Sequence, residues 1–177
     1  MLNSVKTGEK FCLLIINIEL FILFFNNLDG AVLSIQINEK YCIGCRLCEV
    51  HCKVEHSASK DILSAFKRER PAVLSRIHVD EKKPVSVPMQ CRHCKTPLCV
   101  SACLTGAISK DENGVVLHNP EKCIGCWTCI MVCPFGAISR DERGKKVASK
   151  CDLCPSRKIP ACVENCPNGA LIYVEAK

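Results

Sequence analysis

The chain has 177 residues, 17 of them cysteine, with 5% aromatic residues and a formal charge of +6. It is too long for a small disulfide-framed secreted module and too poor in large apolar side chains for a thick core. The charge alone raises nucleic-acid binding, a reading that the chemistry of the cysteines removes below.

Residues 1–33 differ in composition from the rest. They hold "FCLLIINIELFILFF", an apolar stretch interrupted by Asn17 and Glu19, where a spanning helix wants roughly 20 apolar residues. Lys6 and Lys10 precede it as in a signal peptide, but no small-residue cleavage site follows and there is no twin arginine. Three readings stay open: a start assigned too far upstream, with initiation near Val32 or Leu33; an interfacial or membrane anchor; and a cleaved signal. Cys12 falls in this segment and has no assigned role. Residues 34–177 read as one domain.

That domain carries four groups of four cysteines. "CIGCRLCEVHC" supplies Cys42, Cys45, Cys48 and Cys52, with Lys53 behind it. Next, "AFKRERP" reads as an exposed helical turn stopped by Pro71, its charges a solvated face. "AVLSRIHVD" and "PVSVP" alternate as strands do, flanked by Pro84 and Pro88. "CRHCKTPLCVSAC" supplies Cys91, Cys94, Cys99 and Cys103, with Pro97 in a stretched gap. "CIGCWTCIMVC" supplies Cys123, Cys126, Cys129 and Cys133, followed by Pro134. "CDLCPSRKIPACVENC" supplies Cys151, Cys154, Cys162 and Cys166, its loop stiffened by Pro155 and Pro160. "CLTGAISKDENGVV", "CPFGAISRDERGKK" and "CPNGALIYVE" repeat one unit, and "DENG" and "DERG" read as hairpin turns. The unit is a cysteine loop, a short helix through the fourth cysteine and a small strand, duplicated along the chain.

Neighbours in C-x2-C pair poorly as structural disulfides, and zinc prefers two knuckles separated by a longer spacer. The spelling C-x2-C-x2-C-x3-C-P belongs instead to the bacterial ferredoxin run. Three of its thiols hold one 4Fe–4S cubane and the fourth, ahead of proline, ligates another. Sixteen thiols therefore predict four 4Fe–4S clusters. An oxidised cubane with its four thiolates carries about −2, so four turn a formal +6 into about −2. The lysines and arginines then compensate buried anionic sites and dock partners, and no nucleic acid is expected. The apo chain is expected to be largely unfolded.

Gly44 and Gly125 stand beside cysteines, where the missing Cβ lets backbone N–H groups close on cluster sulfurs. His93 and His51 adjoin cysteines, but every quartet is complete, so each is expected beside a cluster or at the surface rather than on iron. His56, His78 and His118 have no evident partners. No nucleophile–base pair, phosphate loop, dinucleotide fingerprint or paired carboxylates are present, so no catalytic site is expected.

The order of the quartets, with a stretched second and a longer-looped fourth, resembles the four-cluster ferredoxin-like electron-transfer subunits over roughly residues 35–173. These accompany molybdenum and tungsten oxidoreductases, formate dehydrogenases, hydrogenases and carbon monoxide dehydrogenases. "CIGCRLCEVHC" with "QCRHC" is most similar to the iron–sulfur protein associated with carbon monoxide dehydrogenase. Some relatives replace one cluster cysteine with tryptophan, whereas here Trp127 stands between cysteines and all sixteen thiols are present. The resemblance implies an α+β fold of two interleaved bacterial-ferredoxin-like modules, with short helices, small antiparallel strands and the chain ends together. It also implies four ligand sets: Cys42, Cys45, Cys48 and Cys166; Cys52, Cys151, Cys154 and Cys162; Cys91, Cys94, Cys99 and Cys133; Cys103, Cys123, Cys126 and Cys129.

The function implied is a one-electron relay from carbon monoxide dehydrogenase to a hydrogenase or pyridine-nucleotide oxidoreductase. The alternative is an electron-transfer subunit of formate dehydrogenase, hydrogenase or a molybdopterin oxidoreductase, and a zinc-stabilised interaction module is a third reading. The expected location is the cytoplasm or the inner membrane face, with membrane contact only through the leader or a partner.

Overall fold

Short helices alternate with small antiparallel strand pairs, an α+β arrangement. The computed structural model describes residues 33–141 and 147–175. The leader readings, and all of the "DERG" turn beyond Asp141, lie outside the described residues.

In chain order the elements are β1 (Leu33–Ile37), a 3-10 turn (Glu39–Tyr41), α1 (Leu47–Glu55), α2 (Ile62–Lys67), β2 (Ile77–Lys82) and β3 (Val85–Gln90). There follow α3 (Leu98–Ser101), β4 (Ile108–Lys110), β5 (Val116–His118), α4 (Thr128–Val132), β6 (Ile138–Asp141), β7 (Val147–Lys150), α5 (Ala161–Glu164) and β8 (Leu171–Glu175). All four strand pairs are antiparallel: β1 with β8, β2 with β3, β4 with β5 and β6 with β7. The first pair joins the two ends of the domain, with Ile37 opposite Leu171.

The helices correct one expectation. They run through the third cysteine of each quartet, which is the second helical residue every time: Cys48, Cys99, Cys129 and Cys162. The fourth cysteine lies beyond the helix in three cases. Cys133 is extended at φ −77°, ψ 111°, because the ring of Pro134 disfavours helical backbone in the residue before it. Pro167 stands in the same place after Cys166. Where Lys53 replaces that proline, α1 runs on to Glu55 and keeps both Cys48 and Cys52.

The repeat has a physical basis. The N–H of Gly106, Gly136 and Gly169 donates to the carbonyl of the preceding fourth cysteine, at 3.3 Å each time. Each glycine is left-handed, with φ between 56° and 64°. The reversal buries the following alanine (Ala107, Ala137, Ala170) and starts a strand on a buried Ile108, Ile138 or Leu171.

The insertion forms the hairpin expected from its alternation, but β2 begins only at Ile77, not Ala72, and β3 runs through Pro88 to Gln90 rather than stopping at that proline. Ile77 and Val79 face inward opposite Gln90 and Pro88, and Gln90 Nε2 donates to Ile35 O at 3.2 Å, tying this hairpin to β1. Asp61 caps α2 by accepting from Ser64 N–H at 2.8 Å, and Ala65 is its single buried residue.

The core is thin. Among the described residues 22 apolar ones are buried, of which seven are cysteine, six alanine and none aromatic. No helix among the described residues is long and apolar enough to cross a membrane.

Two glycines separate backbone strain from packing. A Cβ on Gly169 (φ 62°) meets nothing within 4 Å, whereas one on Gly44 (φ 69°) lies 2.9 Å from Ser86 Oγ. Gly169→Ala should cost the left-handed penalty alone, roughly 1–2 kcal/mol, and Gly44→Ala more. Anaerobic heating of the loaded protein should show cluster bleaching at a lower temperature for both, and lowest for Gly44→Ala. Equal shifts would mean that the approach to Ser86 is immaterial.

Candidate metal centres

The four C-x2-C loops share one backbone shape. The residue ahead of the second cysteine is left-handed in every case: Gly44 at φ 69°, His93 at 48°, Gly125 at 70° and Leu153 at 61°. For His93 and Leu153 that conformation costs roughly 1–2 kcal/mol each. Arg46 and Trp127, which precede α1 and α4, are left-handed as well. Such reversals turn successive N–H groups inward and make a concavity suited to anions. Leu153 N–H donates to Cys151 Sγ at 3.5 Å, and Arg76 N–H donates to Cys52 Sγ at 3.2 Å from the insertion.

The thiols meet across quartets. Tyr41, Cys42, Cys45, Cys48 and Cys166 line one pocket. Cys103, Cys123, Cys126 and Cys129 line another. Among the other eight, proximity shows in which sulfurs oppose one another's ionisation. Burial, then Cys91, Cys133 and Cys94, push the Cys99 thiol up to about 11, against a pull from Lys150. Burial and the neighbouring Cys151, Cys52 and Cys154 raise Cys162 far above the ordinary thiol range. Cys48, pushed up to about 12 by burial first, also feels Cys45 and Cys166. The fourth cysteine of each run therefore sits with the first three of a different run. Cys48 and Cys52, one turn apart on α1, are both buried yet fall in different groups. Cys151 lies within electrostatic reach of Cys91, so the second and third groups adjoin.

One group is wholly buried: Cys52, Cys151, Cys154 and Cys162. Cys45 and Cys126 are exposed, although each has a buried companion, Cys48 and Cys129. Large apolar side chains stand in the open beside the exposed pair: Tyr41 and Ile43 near Cys45, and Ile124 near Cys126. Trp127 carries the Arg140 guanidinium 4.7 Å from its ring centroid, and Phe135 carries that of Arg92 at 4.5 Å. The second contact clasps two runs that contribute to one group.

Cationic groups concentrate on the wholly buried group. Burial alone would raise Cys52, but hydrogen bonds with His56 and from the Arg76 backbone bring it below the ordinary thiol value. His56 has partners that its sequence position hides: Nδ1 on Cys52 O at 2.8 Å and Nε2 on Asp152 Oδ1 at 3.0 Å. Burial opposes the charge on His56, yet Asp152 and Cys52 outweigh it and raise the imidazole to about 9. Arg76 also donates to Asp152. His93 is fully buried and not at the surface. Burial, reinforced by Lys150, lowers it to about 3 and keeps it neutral. Its Nδ1 accepts from Val116 N–H at 3.0 Å, so Nε2 carries the proton, and that N–H has no partner among the described residues.

These features fit an iron–sulfur cluster. Sixteen thiols free of disulfides stand in groups of four, several buried where bare thiolates would repel one another. They need a soft polycationic centre. N–H groups aimed at sulfur, and an orphaned buried donor, suit a group that carries further sulfur acceptors.

Known proteins agree. The 4Fe–4S dicluster domain family matches residues 83–176. The chain is 40% identical over 149 residues to the electron transport protein HydN of Escherichia coli (strain K12), covering 76% of this chain and 83% of that one. It is 36% identical over 152 residues to the thiosulfate reductase electron transfer subunit PhsB of Salmonella typhi, covering 77% and 72%. It is 38% identical over 156 residues to an iron–sulfur protein of Rhodospirillum rubrum, covering 80% and 81%. With cysteine loops shaped for iron–sulfur clusters and relatives named for electron transfer, the chain belongs to the 4Fe–4S dicluster, ferredoxin-like family of electron-transfer proteins that serve oxidoreductases.

Proposed function

We propose that the chain holds four 4Fe–4S clusters, one in each mixed group of cysteines, and relays single electrons between a redox enzyme and an acceptor. The ligand sets are Cys42, Cys45, Cys48 and Cys166; Cys52, Cys151, Cys154 and Cys162; Cys91, Cys94, Cys99 and Cys133; Cys103, Cys123, Cys126 and Cys129. Bound there, the clusters supply one-electron redox chemistry at potentials set by charge, burial and N–H···S bonds. The protein's own residues do the rest. Helix α1 holds the first two groups one turn apart, and Cys151 and Cys91 bring the second beside the third. That junction is the observation that carries the reading, because it joins two pairs into one series. The exposed thiols of Cys45 and Cys126 then mark two ends open to partners, while the wholly buried set of Cys52, Cys151, Cys154 and Cys162 excludes water between them.

The donor proposed is carbon monoxide dehydrogenase, on the strength of "CIGCRLCEVHC" and "QCRHC", with a hydrogenase or pyridine-nucleotide oxidoreductase as acceptor. A second reading, a subunit of another oxidoreductase such as formate dehydrogenase, hydrogenase or a molybdopterin enzyme, draws support from the similarity to the PhsB subunit. Sixteen cysteines that form no disulfide among the described residues suit a reducing compartment, so the proposed location is the cytoplasm or the inner membrane face.

Protein purified without oxygen should contain about 16 iron and 16 acid-labile sulfide per chain, at four of each per cubane. Stoichiometric zinc without sulfide would end the reading. The mixed ligand sets are tested by pairs of substitutions. Cys52→Ala with Cys151→Ala should lose little more iron and EPR signal than either alone, and Cys52→Ala with Cys45→Ala should lose two clusters. The reverse pattern would mean that each run closes on its own cluster. As for the donor, catalytic amounts of carbon monoxide dehydrogenase with carbon monoxide should reduce the loaded protein. Failure there, with rapid reduction by formate dehydrogenase and formate, would favour the second reading.

A further inference from the structure

Lys150 is 3% exposed, and Cys151 follows it directly. Its ammonium donates to Cys151 O at 2.6 Å and to Val116 O. The N–H of the same residue, Val116, donates to His93 Nδ1, and His93 lies between Cys91 and Cys94. A buried chain of hydrogen bonds thus runs from the Cys91–Cys94 loop through His93, Val116 and Lys150 to Cys151. It spans the junction between the second and third groups of thiols.

The charge on this chain resides at Lys150. Burying an ammonium costs several kcal/mol unless an opposite charge stands nearby. The two carbonyl oxygens that it contacts solvate it without carrying a full charge. The ammonium holds the carbonyl of Cys151 directly and is tied through Val116 and His93 to the loop that carries Cys91. Those two cysteines belong to different groups. In a medium of low dielectric, a fixed cation there favours whichever redox state is more negative, which is the reduced one. The sequence offers Lys150 only as a lysine before a cysteine. The fold makes it the one buried lysine among the described residues.

We propose that Lys150 is a redox-tuning residue: its buried ammonium raises the reduction potentials of the two middle clusters together and leaves the two end clusters nearly untouched. Held at higher potential than they would otherwise have, the middle sites become stopping points for electrons that enter at either end. The inference rests on the four-cluster reading above.

The test is a potentiometric EPR titration of the loaded protein beside Lys150→Gln and Lys150→Met, which remove the charge, and Lys150→Arg, which keeps it. Two of the four potentials should fall in the neutral variants at unchanged iron content, and Lys150→Arg should stay near the wild type. Four unshifted potentials, four equal shifts, or a Lys150→Arg shift as large as that of Lys150→Gln would overturn the proposal. Should the neutral variants lose iron, retention of iron and potentials by Lys150→Arg would still assign the role to charge, and equal loss by Lys150→Arg would refute it. A wild-type protein with fewer than four clusters would instead sink the reading beneath.

Discussion

Repulsion among crowded thiolates is the constraint on which this structure turns. Seven of the sixteen cysteines among the described residues are buried, in places where a domain of this size would keep isoleucine, leucine and phenylalanine. Their sulfurs cannot share the interior as bare anions, and as neutral thiols they pack a poor core. Bound iron would answer both, offsetting most of the thiolate charge and tying the cysteines that it joins into rigid units. What remains of the fold is slight: four two-stranded pairs, short helices and a core of small side chains. Metal binding and folding should therefore be one event, as in other small metal domains.

The interleaving of the runs follows from short-range backbone physics. A left-handed residue in each C-x2-C loop and a helix started just before the third cysteine set three thiols around one concavity. Proline, or a glycine-closed turn, then ends the helix and sends the fourth thiol elsewhere. In the first run the helix continues, and the same division arises because Cys52 lies a turn beyond Cys48. Charge is arranged along the resulting series. Arg76, His56 and Lys150 gather where thiols are most buried, whereas Cys45 and Cys126 open toward solvent beside Tyr41, Ile43 and Ile124. Large exposed apolar side chains around an accessible redox site suit transient docking.

Much of this was legible in the sequence because spacing and chemistry are tightly linked for cysteine. The quartets, the hairpin around "DENG" and the strands on either side of Pro84 could all be read locally. The helix limits were misplaced by a few residues, since the effect of Pro134 and Pro167 falls on the cysteine before each. Long-range polar contacts left no local trace. Nothing near His56 announces Asp152, 96 residues away, and nothing in "SKCDLC" marks Lys150 as buried. His93 sits between two cysteines and was visible as a candidate neighbour of a cluster. Its full burial and fixed tautomer depend on a Val116 N–H that reaches it from a strand 23 residues on.

The central claim is that each group of four thiols is drawn from two runs. Crystals grown without oxygen and measured at the iron absorption edge test it most directly. The account predicts four iron–sulfur sites per chain, with Cys166 bonded to the site of Cys42, Cys45 and Cys48, and Cys52 bonded to that of Cys151, Cys154 and Cys162. Density joining Cys52 to the site of Cys42, Cys45 and Cys48, with Cys166 on that of Cys151, Cys154 and Cys162, would contradict it.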